Sequence, residues 1–389
     1  IATRDPDRIY IEKGNTHRLS EVQYFTFEPH VHIPGRQYGY KMENIYYFSG
    51  TGNAKNAALW MIAEAQKYNV KTEMIDISRI DRRNISTPEQ DSMIGFSSPT
   101  HGFNFPPVMM KFLLRFPKSK FKNPVFIMNT RGGLKFGKIF FPGLSGITQY
   151  FYSLMLLLKG YRVVGMRGID LPSNWISLHP GLSNSAIQQI YERRKETVHR
   201  FAEKIFNGKK DLHALLEIVQ DLLISPISVA YYIAGRFILA KSFYANSNCN
   251  NCNLCIDNCP IKAIIKVDER PFWTYKCESC MRCMNDCPNR AIETAHGFII
   301  GLLYLINIFV LSYFWSAVHP LLNRYEGLGY WKYISWLIEN SIVIGLLFIA
   351  YRILHRIIRF PVIKQIIEYT SLTKFTFWKR YKIKKIMKQ

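Results

Sequence analysis

The sequence predicts an α/β protein. It reads as a doubly wound parallel sheet, then a small α+β domain, then a hairpin of two helices long enough to cross a membrane. Three observations carry this. From Glu43 to about Gly168, short apolar runs alternate with helical periods, as strands and crossover helices do. All eight cysteines fall between Cys249 and Cys287. After them come two apolar runs, the first of which is 22 residues without a charge (Gly297–Val318), more than a soluble core needs.

Taken in order, residues 1–41 read as a polar, irregular extension without the apolar core of a secretory signal. Ile45–Phe48 is a buried strand and Ala54–Tyr68 a helix by period. Thr72–Ile77, Met93–Ser97, Pro124–Asn129 and Tyr161–Met166 are four more strands, and Ser185–Phe206 is a helix stopped by Asn207-Gly208. Residues 211–244 form a bent helical connector around Pro226. Its uncharged core, Leu222–Gly235, is too short to span a bilayer, so it packs on a domain or lies in the interface. The spans are Gly297–Val318 and Trp331–Leu354, joined by a loop from His319 to Tyr330. Tyr313, Trp315, Tyr330 and Trp331 stand where an interfacial belt would be. The chain thus divides into an extension (1–41), a sheet domain (42–208), a connector (209–245), a cysteine domain (246–295), a membrane hairpin (296–355) and a basic tail (356–389).

The formal net charge of +23 calls for an anionic partner. From Arg352 onward there are eleven Lys or Arg against the single acid Glu368, beside an apolar run. That pattern favours anionic lipid over nucleic acid, and it sets the sheet and cysteine domains and the tail on the cytoplasmic side of an inner membrane crossed more than once. Cysteines confined to one window of a large chain indicate metal and a reducing compartment, not a disulfide scaffold.

Ser49-Gly50-Thr51-Gly52-Asn53 follows the first strand. Its glycines free backbone N–H groups, its side chains add donors, and the next helix supplies its positive end, which together suit a phosphate. It is neither a Walker loop nor a dinucleotide fingerprint. "SGTGN" in this place resembles the phosphate loop of flavodoxins, over roughly residues 42–206. The resemblance implies FMN. It also implies that Ser98-Pro99-Thr100-His101-Gly102-Phe103, after the third strand, and Asn129-Thr130-Arg131-Gly132-Gly133, after the fourth, embrace the isoalloxazine ring. Phe103, Phe105 and Trp175 are the candidate stacking aromatics.

The cysteines run Cys249-x2-Cys252-x2-Cys255-x3-Cys259-Pro260 and Cys277-x2-Cys280-x2-Cys283-x3-Cys287-Pro288. This is the spacing of the bacterial two-cluster ferredoxins, in which the fourth Cys ligates the other cluster. One [4Fe–4S] cluster then takes Cys249, Cys252, Cys255 and Cys287, and the other Cys277, Cys280, Cys283 and Cys259. Zinc sites take cysteine pairs, not triplets with a distant fourth and a proline.

The two modules together resemble the flavodoxin–ferredoxin fusion proteins of anaerobic bacteria and archaea, with a transmembrane hairpin added. The resemblance implies electron transfer between FMN and two [4Fe–4S] clusters, to or from a soluble redox protein of the ferredoxin or flavodoxin class or a membrane partner. The alternative is a reductase acting on a quinone or another lipid-phase substrate. Glu339, Asn340 and Asn307 are the polar groups inside the expected spans, and His296 and His355 flank them.

Overall fold

The computed structural model describes residues 42–68, 70–326 and 329–380; the extension 1–41 and residues 381–389 of the tail lie outside the described residues. Strands β1 (Met42–Tyr47), β2 (Lys71–Asp76), β3 (Ser92–Pro99), β4 (Pro124–Phe136) and β6 (Arg162–Pro172) form a parallel sheet in the order β2-β1-β3-β4-β6. A short strand β5 (Ile139–Phe141), not expected from sequence, turns back antiparallel on the end of β4. Counting parallel strands only, the order is 2-1-3-4-5, the flavodoxin-like doubly wound sheet, in which ligands bind at the switch point between β1 and β3.

Alternation along β1 sends Ile45 and Tyr47 to one face and Tyr46 and Phe48 to the other. The first face packs on α1 (Asn53–Ala65) and α4 (Asn184–Phe206), the second on α2 (Pro107–Arg115) and α3 (Thr148–Leu158). Ser183 caps α4 by accepting from the Ala186 amide at 3.2 Å, and Gly208 takes φ 73° just past its end, as the sequence signals.

The connector is longer than the sequence reading allowed. Residues 213–240 form one continuous helical stretch of 28 residues, containing α5 (Ile218–Ala230), a π turn (Tyr231–Gly235) and α6 (Arg236–Ala240), so it meets the length a bilayer requires. Its charged flank is used against the sheet domain. Glu217 pairs with Arg131, and Asp221 accepts from the Ser145 and Gly146 amides at 3.1 and 2.8 Å. The opposite face leaves Leu216, Val219 and Leu223 bare to solvent.

Strands β7 (Phe243–Ala245) and β10 (Ile292–Thr294) pair antiparallel, and β8 (Ile264–Val267) pairs with β9 (Arg270–Trp273) around two short helices, α7 (Leu254–Asp257) and α8 (Arg282–Asp286). The core beneath α1 and α4 runs without a break into this unit through Phe243, Trp273, Met281 and Ile292. The two parts therefore share one apolar interior.

Two more long apolar helical stretches follow. The first contains α9 (His296–Leu305), a π turn (Ile306–Leu311) and α10 (Ser312–Glu326); the second is α11 (Trp331–Ile357). The loop expected from His319 is instead helical to Glu326, because Pro320 lies within α10 and does not end it. Only 11% and 17% of the residues in their most apolar windows are buried, and with the connector they make three helical stretches among the described residues that are long and apolar enough to cross a membrane. The tail also differs from expectation. Helix α12 (Pro361–Tyr369) and residues 371–380 fold back on the body. Trp378 is buried and donates to the Ile176 carbonyl at 2.5 Å, and Arg380 donates to the Ile292 carbonyl at 2.8 Å. Desolvated carbonyls claim groups that the sequence reading had assigned to lipid.

Candidate functional site

A cleft of about 1000 Å³ opens at the carboxyl ends of β1, β3 and β4. Of the residues singled out from sequence, Ser49, Gly50, Thr51, Asn53, Pro99, Thr100, His101, Gly102, Phe103, Thr130, Arg131 and Gly132 line it. Gly52 takes φ 109° at the turn into α1, a conformation that favours glycine, and its amide donates to the Ser49 hydroxyl at 3.1 Å. Asn53 turns away, donating to the Pro172 carbonyl at 3.0 Å and accepting from the Tyr191 hydroxyl at 2.5 Å.

Three placements correct the sequence reading. Asn129–Gly133 is not a loop after β4 but part of it, held by pairing with Gly168–Pro172 of the long β6. Asn129 spends its side chain on Thr100 and Ser145, and Gly133 does not line the cleft. Ser98 and Pro99 likewise end β3 and do not follow it. Phe105 is no stacking candidate: it is buried in the core with its ring 4.7 Å from Tyr152. Phe103 and Trp175 do line the cleft. Sequence reasoning missed Ser173, Asn174 and Cys280, which also line it. Asn174 donates to the Thr51 hydroxyl, a contact 123 positions apart that no local pattern reveals.

The chemistry of the cleft is that of a neutral, donor-rich cradle. His101 is buried, and desolvation lowers its pKa to about 4, so its ring is uncharged at neutral pH. Its Nδ1 is buried without a hydrogen-bond partner among the described residues. This orphaned group and the hydroxyl-rich loop fit a heteroaromatic ring bearing polar edges and a phosphate. Arg131 does not reach for a ligand: it donates to Asp170 at 2.6 Å and to both Glu217 oxygens at 2.6 and 2.7 Å. Burial alone would lower its pKa, and its two carboxylate partners raise it on balance. Asp170 holds Arg194 as well, at 2.7 Å.

One wall of the cleft is a cysteine loop. A Cβ placed on Gly50 would stand 2.7 Å from both the Cβ and the carbonyl oxygen of Cys280, and 3.3 Å from its Sγ. The Trp175 indole donates to the Ser279 carbonyl at 3.0 Å, pinning the same loop. Tyr231, from the connector, packs on Gly102 and lies 5.5 Å from the Trp175 ring.

The two cysteine blocks fold alike. Asn251, Asn253 and Lys262 adopt positive φ, and so do Ser279, Met281 and Arg290, each 28 positions later. The Ala263 and Ala291 amides donate to the Cys259 and Cys287 sulfurs, both at 3.2 Å. Cys249, Cys252, Cys255 and Cys287 line one cavity, and Cys283, expected in the other set, lines it with them. Burial raises the Cys255 thiol to about 12, with added repulsion from Cys249, Cys287 and Cys252. Burial likewise raises Cys277, where Cys280 and Cys259 add to the effect. Cys283 is raised by burial and by Cys277 and Cys280, and also by Cys255 of the other expected set, so the two groups of thiols adjoin. Among the described residues, no three His, Cys, Asp or Glu side chains are close enough to share a single metal ion.

The polar groups of the apolar helices are engaged. Glu339 accepts from the Trp315 indole at 2.8 Å, across the hairpin, while Asn307 and Asn340 donate to carbonyls of their own helices. His296 Nε2 contacts the Ser177 carbonyl and its Nδ1 accepts from the Leu372 amide; His355 Nε2 contacts the Val267 carbonyl.

No known family profile and no curated protein matches the chain. Similar solved structures include oxidised flavodoxin 1 from Bacillus cereus, 14% identical over 44% of this chain and 99% of that one, with a TM-score of 0.30. A flavodoxin from the domain Archaea is 15% identical over 42% and 98%, with a TM-score of 0.25. An azoreductase from Bacillus anthracis str. Sterne is 8% identical over 42% and 99%, with a TM-score of 0.29. Likeness this distant says nothing of activity, which must be read from the chain's own residues.

Proposed function

We propose that the chain is a membrane-anchored electron-transfer protein that holds FMN in the β1/β3 cleft and two [4Fe–4S] clusters in the paired cysteine loops. The single observation that carries this reading is the contact between Gly50, in the expected phosphate loop, and Cys280, in the second cysteine block. A loop suited to a flavin phosphate and a loop suited to a cluster touch each other, which is what a short electron path needs.

The flavin, when bound, exchanges electrons singly or in pairs, and the clusters singly. The protein's own groups do the rest. Gly50 keeps the two loops in contact by having no side chain. Ser49, Thr51 and Asn174 supply hydroxyl and amide groups around the phosphate position, and the neutral His101 offers a hydrogen bond to the ring. Phe103 and Trp175 wall the ring off from water, and Tyr231 closes the connector side. The amides of Ala263 and Ala291 stabilise negative charge on the Cys259 and Cys287 sulfurs. The hairpin anchors the assembly, and the bare face of α5 lies at the lipid surface.

Membranes prepared without oxygen and solubilised in mild detergent test this. The purified chain should carry one FMN and about eight irons, by the cysteine arithmetic of two cubanes. Stoichiometric zinc without visible absorbance would reject it.

A further inference from the structure

We infer that a second cleft, lined by Cys277 of the loop that also carries Cys280, is the docking site for a small acidic electron-carrier protein. The inference rests on the electron-transfer reading above. The cleft measures about 1010 Å³, as large as the flavin cleft, and Cys277 lines it as Cys280 lines the other. Arg82, Lys111, Arg115, Arg236 and Lys276 surround it. Lys111 and Arg115 lie one helical turn apart on α2 and both are exposed, as is Lys276. None of the five is in an ion pair within the described residues.

The only acid in the lining is Glu278. Its Oε2 and the Nε of Arg236 are both buried without a hydrogen-bond partner among the described residues, so the site carries unmet polar capacity as well as unbalanced positive charge. Five unpaired cations against one carboxyl attract an anionic surface, steer its approach and set its orientation. The cations flank a cysteine of the loop that also touches the flavin loop, so an acidic partner seated there brings its own redox centre beside that cysteine. The exchange is outer-sphere: one electron leaves the reduced carrier and enters the centre that Cys277 helps to hold. No bond forms or breaks and no proton moves.

The probe is a purified, negatively charged two-[4Fe–4S] ferredoxin, titrated into the full-length, cofactor-loaded chain in detergent, with binding read by calorimetry. Raising the salt from about 20 to about 200 mM should weaken binding by about tenfold or more. The double substitution Lys111→Glu/Arg115→Glu, on an exposed helix face, should do the same while leaving flavin and iron content unchanged. Lys276→Gln should give a smaller loss. A loaded protein that binds the acidic probe no better than a basic haem carrier, or a double variant with unaltered affinity, overturns the inference and leaves the electron-transfer reading standing. Micromolar saturable binding of pyrophosphate that blocks the probe also overturns it, because the cleft is then a small-molecule site. Loss of flavin and iron from the parent protein strikes the earlier reading instead.

Discussion

Gly50→Ala tests the contact on which electron transfer would depend. A methyl group there would meet the Cβ and the carbonyl oxygen of Cys280 at 2.7 Å, against an ordinary contact floor near 3.4 Å, so one loop must retreat by roughly 0.7 Å. A backbone carbonyl cannot swing aside as a flexible side-chain tip can. The Cys280 loop is pinned by Trp175 through Ser279, and the Gly50 loop by Asn174 through Thr51, so neither yields freely. Overpacking of this kind costs about 1–3 kcal/mol, which is roughly a 5- to 150-fold shift in any equilibrium that requires the loops together. Urea unfolding should show a lower midpoint, and laser-flash reduction of the flavin should show slower electron arrival at the iron–sulfur centres. Gly345→Ala is the control, because nothing lies within 4 Å of a Cβ there. If Gly50→Ala leaves the midpoint, the flavin affinity and the transfer rate as they were, the loops do not touch and the proposed route fails.

The remaining predictions follow from other contacts. Arg131→Met should destabilise the fold by about 3 kcal/mol, because Glu217 loses its ion-pair partner and Asp170 keeps only Arg194, and thermal unfolding would register it. For His101 the folded-state pKa of about 4 lies below the ordinary value of 6.5, so the unfolded chain binds the extra proton between those pH values. Stability should therefore fall by up to roughly 3 kcal/mol as pH drops from 6.5 toward 4, and His101→Gln should flatten that slope in urea titrations without flavin. Cys252→Ser and Cys280→Ser should each halve the iron content, but only the second should also alter the flavin's visible spectrum, since only Cys280 lines its cleft. The protein should stay in membranes through a high-salt wash, and release by salt alone would mean that the apolar helices do not insert.

The sheet was legible because buried parallel strands and crossover helices write their periods locally. Both cysteine blocks were legible because their spacing is local too. What escaped depends on partners far away in the chain. Glu217 and Asp221 interrupt the apolar run of the connector and made it look short, yet Arg131 and the Ser145 and Gly146 amides satisfy them, and the helix continues. Asn129–Gly133 carries loop-like residues, but β6 is long enough to pair with all five. Trp378 and Arg380 read as a tail for lipid until the Ile176 and Ile292 carbonyls claim them. In each case a tertiary hydrogen bond outweighed a local preference worth less.

On the proposed reading, the duplication in the cysteine region would also account for two centres and not one. Cys252 and Cys280 are equivalent, 28 positions apart, and their loops share the same positive-φ pattern. Their surroundings have diverged. Cys252 is exposed, whereas Cys280 meets the Gly50 loop and lines the flavin cleft. If the loops hold clusters as proposed, equal loops in unequal surroundings would give the two centres unequal potentials, because burial and nearby dipoles tune iron–sulfur centres. The inner loop lines the flavin cleft through Cys280 and the basic cleft through Cys277. The outer loop faces solvent. Under the function proposed above, an electron arriving at the inner position would have a choice between the flavin and the outer centre, and that choice would let a one-electron centre serve a flavin that accepts electrons in pairs.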